Sequence, residues 1–243
     1  MGGAKLFFDY LNSKMQEVVD HEMPNIEKAA KLVAESCLKG GRFYVFGSGH
    51  SHMIAEECYI RAGGLALVHG ILPPELMLHQ SPTKGTQIER MEGYAKMLLE
   101  QYHVEEKDTL MVVSNSGRNS LPVEMCMLAK EIGASVIALT SMQHSSNCTS
   151  RHKSGKKIYE IADVTIDNCA VKGDAGIKME GLETWVGPTS DATGVAIAQA
   201  LTCEVIDQLL QAGMKPPVFT SANVDGGDAI NENLYKTYYG YWK

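Results

Sequence analysis

The chain has 243 residues, 44% apolar and 21% charged, which is ample for one α/β core with appended pieces and ordinary for a soluble globular protein. A net charge of −7 speaks against nucleic acid or an anionic membrane as partner, so a bound anion must be held by local groups and not by the overall field. No apolar run approaches the roughly 20 residues of a membrane span, the first residues lack the layout of a signal peptide, and six scattered cysteines without a C-x-x-C read as buried thiols, so the cytoplasm is the expected compartment.

Leu6 to His21 carries Phe7, Leu11, Met15 and Val18 at helical spacing, and Asn25 to Leu38 carries Ile26, Ala29, Val33 and Cys37 in the same way. Pro24 between them predicts a pair of helices, the second ended by Gly40-Gly41. The first helix has two readings, contact with a second copy or cover for its own sheet edge. Residues 1–30 are thus expected to form a helical segment ahead of a main domain at 31–214, with 215–243 as a tail packed on it.

Arg42 to Phe46 is a β-favouring run that empties into Gly47-Ser48-Gly49-His50-Ser51, after which Met53 to Ala62 reads as a helix. Such a junction suits an anion: glycines let the backbone approach a ligand, and the N–H groups and dipole of the next helix favour negative charge. A short second strand is expected at Leu65 to His69, a proline-bearing loop from Ile71 to Gly85, and one helix from Thr86 to His103.

The design then repeats. Thr109 to Val113 is an apolar, β-branched run, Ser114-Asn115-Ser116-Gly117-Arg118-Asn119-Ser120 follows, and a helix runs from Leu121 to Ile132 with Pro122 in its first turn. Further strands are expected at Val136 to Leu139 and Val164 to Ile166, the polar, basic stretch Ser141 to Lys157 (Arg151, Lys153, Lys156, Lys157) as solvated surface in preference to a lid over an anionic ligand, the glycine-rich Asn168 to Pro188 as a loop, and Ser190 to Leu210 as a long helix. The aromatic end, including Tyr235, Tyr238, Tyr239, Tyr241 and Trp242, reads as an anchor of the tail to the body. Alternating strands and helices call for an α/β fold, a five-stranded parallel sheet with helices on both faces. In such sheets ligands bind at the carboxyl ends of the strands, where both serine-rich loops fall.

The GSGHS loop, the SNSGRNS loop and Ala138-Leu139-Thr140-Ser141 together resemble the sugar isomerase (SIS) domain over roughly Lys31 to Ala212. The resemblance implies a flavodoxin-like three-layer sandwich, no cofactor, a homodimer or higher homo-oligomer, and a phosphorylated sugar as ligand. The residues it points to as substrate-binding are Gly47, Ser48, Gly49, Ser51, Ser114, Asn115, Ser116, Gly117, Asn119, Ser120, Thr140 and Ser141.

Isomerising a sugar phosphate needs a base to take a proton next to a carbonyl and a group to polarise the oxygen, tasks suited to glutamate and histidine. His50 and Glu57 are the candidates here. The chain departs from phosphoheptose isomerases, whose catalytic glutamate falls on Arg61 of this sequence and whose last-helix histidine has no counterpart between Ser190 and Leu210. Glu57 stands one helical turn before Arg61 and can face the same way. The alternatives are a SIS module that senses a phosphosugar without converting it, and a lyase similar to the N-acetylmuramic acid 6-phosphate etherases, which share Ser116-Gly117-Arg118.

Overall fold

The computed structural model describes residues 2–240; Tyr241 and Trp242 of the aromatic end lie outside the described residues. Helix α1 spans Gly3–Leu38, and the chain continues as β1 (Phe43–Gly47), α2 (His52–Cys58), β2 (Val68–Ile71), α3 (Pro82–Glu89) and α4 (Tyr94–Gln101). Then come β3 (Thr109–Val113), α5 (Ser120–Ile132), β4 (Ser135–Thr140), α6 (Met142–Ser145), β5 (Val164–Asp167), β6 (Ala175–Ile177), β7 (Val186–Pro188), α7 (Ser190–Gln211) and α8 (Gly227–Tyr238).

The five strands pair in the order β2-β1-β3-β4-β5, all parallel. Period-two alternation sends Phe43, Val45, Met111, Val113, Ile137 and Leu139 to one face, where α1, α2 and α7 cover them through residues such as Val33, Ile54 and Leu201. Tyr44, Phe46, Leu110, Val112, Val136 and Ala138 point to the other face, under α4 and α5. Both faces are buried, so the strands read as continuous apolar runs and the architecture is a three-layer sandwich.

The expected pair of N-terminal helices is one helix of 36 residues that runs through Pro24. Proline lacks an N–H and crowds the preceding turn, yet Pro24 is exposed while Glu22 and Ile26 on either side of it are buried, so packing on the sheet side outweighs the local defect. The first half of α1 lies along the β6–β7 hairpin, where an added Cβ at Gly176 would meet the Tyr10 ring at 2.0 Å. That antiparallel hairpin occupies the stretch expected to be a loop.

Three further boundaries move. Strand β2 starts at Val68, because Leu65 instead bridges to Val218 and Ala66 N donates to Pro217 O (2.7 Å), drawing the tail along that edge. The single helix expected from Thr86 to His103 is two, α3 and α4, broken where Gly93 takes φ 90°. The tail carries α8 and buries Phe219 and Tyr239 against Ala66.

Candidate functional site

Strands β1 and β3 are neighbours, with Gly47 opposite Val113 at their carboxyl ends. From β1 the chain turns outward to β2, and β3 begins on the other side; α2 packs on one face of the sheet and α5 on the other. The two loops therefore part at a topological switch point and leave a crevice between them.

In the first loop, Gly47 allows a turn no other residue permits, since an added Cβ would lie 2.3 Å from the Ser51 carbonyl oxygen, and Gly49 takes φ 59°. The His52 ring accepts this geometry by bonding through Nδ1 to the Gly49 carbonyl, which ties the loop to the start of α2. Ser48 is buried and Ser51 half-buried. In the second loop, Ser114 Oγ accepts from Gly117 N (3.2 Å), and Gly117 has φ 59° with an added Cβ 2.9 Å from Ser145 Oγ. Asn115 is fixed on three sides, by Thr140 Oγ1 and Ser141 N donating to its carbonyl (3.2 and 3.1 Å) and by Asn168 Nδ2 donating to its Oδ1 (3.0 Å). Ser141 Oγ donates to Ala170 O (2.5 Å).

The expected binding residues thus divide into two groups. Ser114, Asn115 and Thr140 bond within or onto the second loop, and the Ser141 hydroxyl is taken by Ala170 O and His144 N. By contrast, among the described residues the hydroxyls of Ser48, Ser51, Ser116 and Ser120 make no hydrogen bond within the chain, although Ser48 and Ser120 are only 9% and 2% exposed. Asn119 is the residue before α5 but does not cap it; its Oδ1 accepts from Arg151 Nη1 (2.9 Å). The first N–H groups of α5 therefore face the crevice without a side-chain cap. Arg118 Nε is buried without a partner among the described residues.

His50 is exposed and makes no hydrogen bond among the described residues. Asp191, in the first turn of α7, lies near it: burial pushes the Asp191 carboxyl up from the usual range, and the imidazoles of His50 and His52 partly offset this. Glu57 is differently placed. Its Oε2 accepts from Arg61 Nη1 (2.7 Å) and its Oε1 from Gln199 Nε2 (3.1 Å), so both oxygens are engaged. Asp174 binds the start of α7, accepting from Thr189 N (3.0 Å), Ser190 N (2.9 Å) and Ser190 Oγ (2.7 Å).

Sequence reasoning missed Asp191 and Asp174, and met Arg118 and Arg151 only as members of a motif and of a basic stretch. A carboxylate in a first helical turn was the available signal for Asp191; the others sit on irregular backbone with no periodic pattern to mark them. The stretch from Ser141 to Lys157 is not simply solvated surface. Its backbone pairs with the second loop through Arg151 N to Arg118 O (2.8 Å), and buried Lys157 donates through Nζ to Ser145 O (2.9 Å).

A three-layer α/β sandwich with two serine-rich loops at its switch point defines a class, and the SIS domain family model matches residues 6–141. The chain belongs to the SIS domain family. Similar along nearly its whole length are UPF0309 proteins: one from Halalkalibacterium halodurans is 55% identical over 232 residues, covering 96% of this chain and 95% of the relative. Another, from Geobacillus thermodenitrificans, is 38% identical over 96% of this chain and 93% of its own length. Among solved structures, a phosphoheptose isomerase from Neisseria gonorrhoeae superposes with TM-score 0.57 at 16% identity, covering 84% of this chain and 97% of that one. The sugar isomerase domain of an RpiR transcription factor from Sphaerobacter thermophilus gives TM-score 0.54 at 13% identity, covering 97% and 99%. At such identities the likeness is one of fold.

Proposed function

We propose that the protein binds the phosphate of a phosphorylated sugar between its two serine-rich loops and interconverts the aldose and ketose forms of that sugar. The observation that carries the binding is the set of four serine hydroxyls, from Ser48, Ser51, Ser116 and Ser120, without a hydrogen-bond partner among the described residues, beside the uncapped start of α5. A phosphate dianion taken from water needs several donors at once, and each hydrogen bond to it is worth roughly 1.5–3 kcal/mol. Ser116→Ala is expected to weaken sugar-phosphate binding by about 10- to 100-fold. Because its hydroxyl bonds to none of the described residues, the melting temperature without ligand should stay put. Calorimetric titration of wild type and variant with a panel of C5 to C7 sugar phosphates, and with the free sugars, checks this; equal affinities would refute the phosphate role.

For the proton transfer the reading assigns His50, with Asp191 beside it, ahead of Glu57. An exposed imidazole with no hydrogen-bond partner among the described residues can take and return a proton, whereas Glu57 would first have to leave Arg61 and Gln199. The engaged state of Glu57 also favours a second reading, binding of a phosphosugar without conversion. NMR observation of aldose-to-ketose conversion separates the two.

A further inference from the structure

Away from the crevice, His152, Glu92 and Glu124 converge from three segments. His152 lies in the stretch after α6, Glu92 between α3 and α4, and Glu124 in α5. One ligand atom from each lies within 4.8 Å of the other two. His152 Nε2 is 3.9 Å from Glu92 Oε1 and 3.7 Å from Glu124 Oε1, and the imidazole side chain is only 3% exposed. From this geometry we infer a binding site for one divalent transition-metal ion, zinc being the best match to one imidazole nitrogen and two carboxylate oxygens.

Three features separate this cluster from a chance ion pair. A protonated Nε2 donating to a carboxylate would stand about 2.7–3.2 Å from it, whereas both separations here are longer. They lie close to the edge of a coordination tetrahedron, about 3.4 Å for metal–ligand bonds of 2.0–2.2 Å, so shifts of a few tenths of an ångström close the site. Next, every ligand is anchored by its other polar atom. Ser154 N donates to Nδ1 of His152 at 3.3 Å, a long bond, while Ser154 Oγ stands nearer, at 2.8 Å; in the tautomer that donates Nδ1–H to this oxygen, the Nε2 lone pair is left for a metal. Glu92 Oε2 accepts from Lys153 Nζ (2.7 Å) and Glu124 Oε2 from Gly93 N (2.7 Å), which presents each Oε1 to the centre. Finally, the donor set is one that transition metals take, two carboxylate oxygens and one imidazole nitrogen, with Lys153 balancing Glu92 from outside the cluster.

The ion's role would be to clamp. The stretch carrying His152 also carries Arg151, which bonds to Arg118 O and Asn119 Oδ1 of the second serine loop, while Glu124 belongs to the helix that loop starts. One ion therefore joins that stretch, α5 and the α3–α4 turn beneath the crevice.

The test is titration of the metal-stripped full chain with Zn²⁺, alongside Co²⁺ as a spectroscopic stand-in. The expected result is one ion per chain, a visible Co²⁺ band of four-coordinate N/O ligation, and a raised melting temperature on metal addition. Glu92→Gln, at the exposed rim, should weaken binding at least 10-fold without loss of fold, and Glu124→Gln likewise. His152→Ala should abolish the band where that variant folds. No stoichiometric binding by wild type, or undiminished binding in both glutamine variants, overturns the assignment.

Discussion

His50 and Glu57 stand seven positions apart on one loop-and-helix unit, yet their surroundings give them different chemistry. Replacing His50 with Gln keeps a polar side chain at the crevice and removes the titrating nitrogen; the expected outcome is a fall in isomerase turnover of about 10²–10⁴-fold with sugar-phosphate affinity retained. Glu57→Gln keeps a bond to Gln199 and gives up the ion pair with Arg61, whose side chain is 53% exposed, so the cost to stability should stay under ~1 kcal/mol with turnover changed much less. Steady-state kinetics and binding measured on both variants decide between them: full activity in His50→Gln with none in Glu57→Gln would reverse the roles. His52, only two residues from His50, is spoken for by the Gly49 carbonyl and packs its ring 6.5 Å from that of His79, so it shapes the loop.

At the scale of elements, α1 shows how tertiary packing overrides a local breaker. A proline in a helix interior costs about 3 kcal/mol through its missing hydrogen bond and its clash with the preceding turn. Here the flanking turns bury Val18, Glu22, Ile26, Ala29 and Ala30, and Glu22 Oε2 accepts from Asp167 N (3.1 Å), so α1 cannot bend at Pro24 without leaving β5. Pro24→Ala is therefore expected to stabilise the fold by about 1–3 kcal/mol, read as a higher melting temperature at unchanged helical signal. A lowered melting temperature would mean that Pro24 sets a bend the packing needs. Strands β1, β3, β4 and β5 and helices α5 and α7 were legible to within a residue or two, because buried parallel strands are short apolar runs bounded by turn chemistry, whereas α2 ends at Cys58, four residues short of the expected Ala62. The short hairpin β6–β7 was not, since strands of three residues leave no periodic record, and α8 was hidden by aromatic residues that suit a helix and an extended anchor equally.

For the whole molecule, the serine loops could be found from sequence because each is a contiguous motif, whereas Glu92, Glu124 and His152 meet only after α3, α5 and the stretch after α6 have packed. Asp191 and His50 likewise lie far apart in the chain. Stability against acid is another property of the assembled body. His69 of β2 is buried, and burial, helped by the charge of Arg42, pushes its imidazole down to about 4. The unfolded chain then takes up this proton near the ordinary value of 6.5 while the folded chain does not, so stability is full above about pH 6.5 and falls as pH drops towards 4. The total is about 3 kcal/mol. Asp108, Asp167 and Asp191 are pushed up by burial and act in the opposite sense at lower pH, so the comparison of wild type with His69→Gln isolates the histidine. Denaturant unfolding at pH 7 and pH 5 should show a flatter dependence in the variant; identical slopes would contradict a neutral buried His69.

Helix α1 packs more extensively on α7 than on any other helix, and the two lie at opposite ends of the main body, Gly3–Leu38 against Ser190–Gln211. A ribosome delivers the first of them long before the second. At about 5–20 residues per second, the apolar stripe of α1 waits on the order of 10–30 s for its partner to emerge. During that interval the strands can assemble on their α4–α5 side, but Val33, Ala34 and Cys37 have only half their surroundings. The nascent chain thus carries an uncovered apolar stripe on α1 through that interval, and synonymous codon changes that slow translation between α5 and α7 would lengthen that exposure without altering one residue of the finished protein.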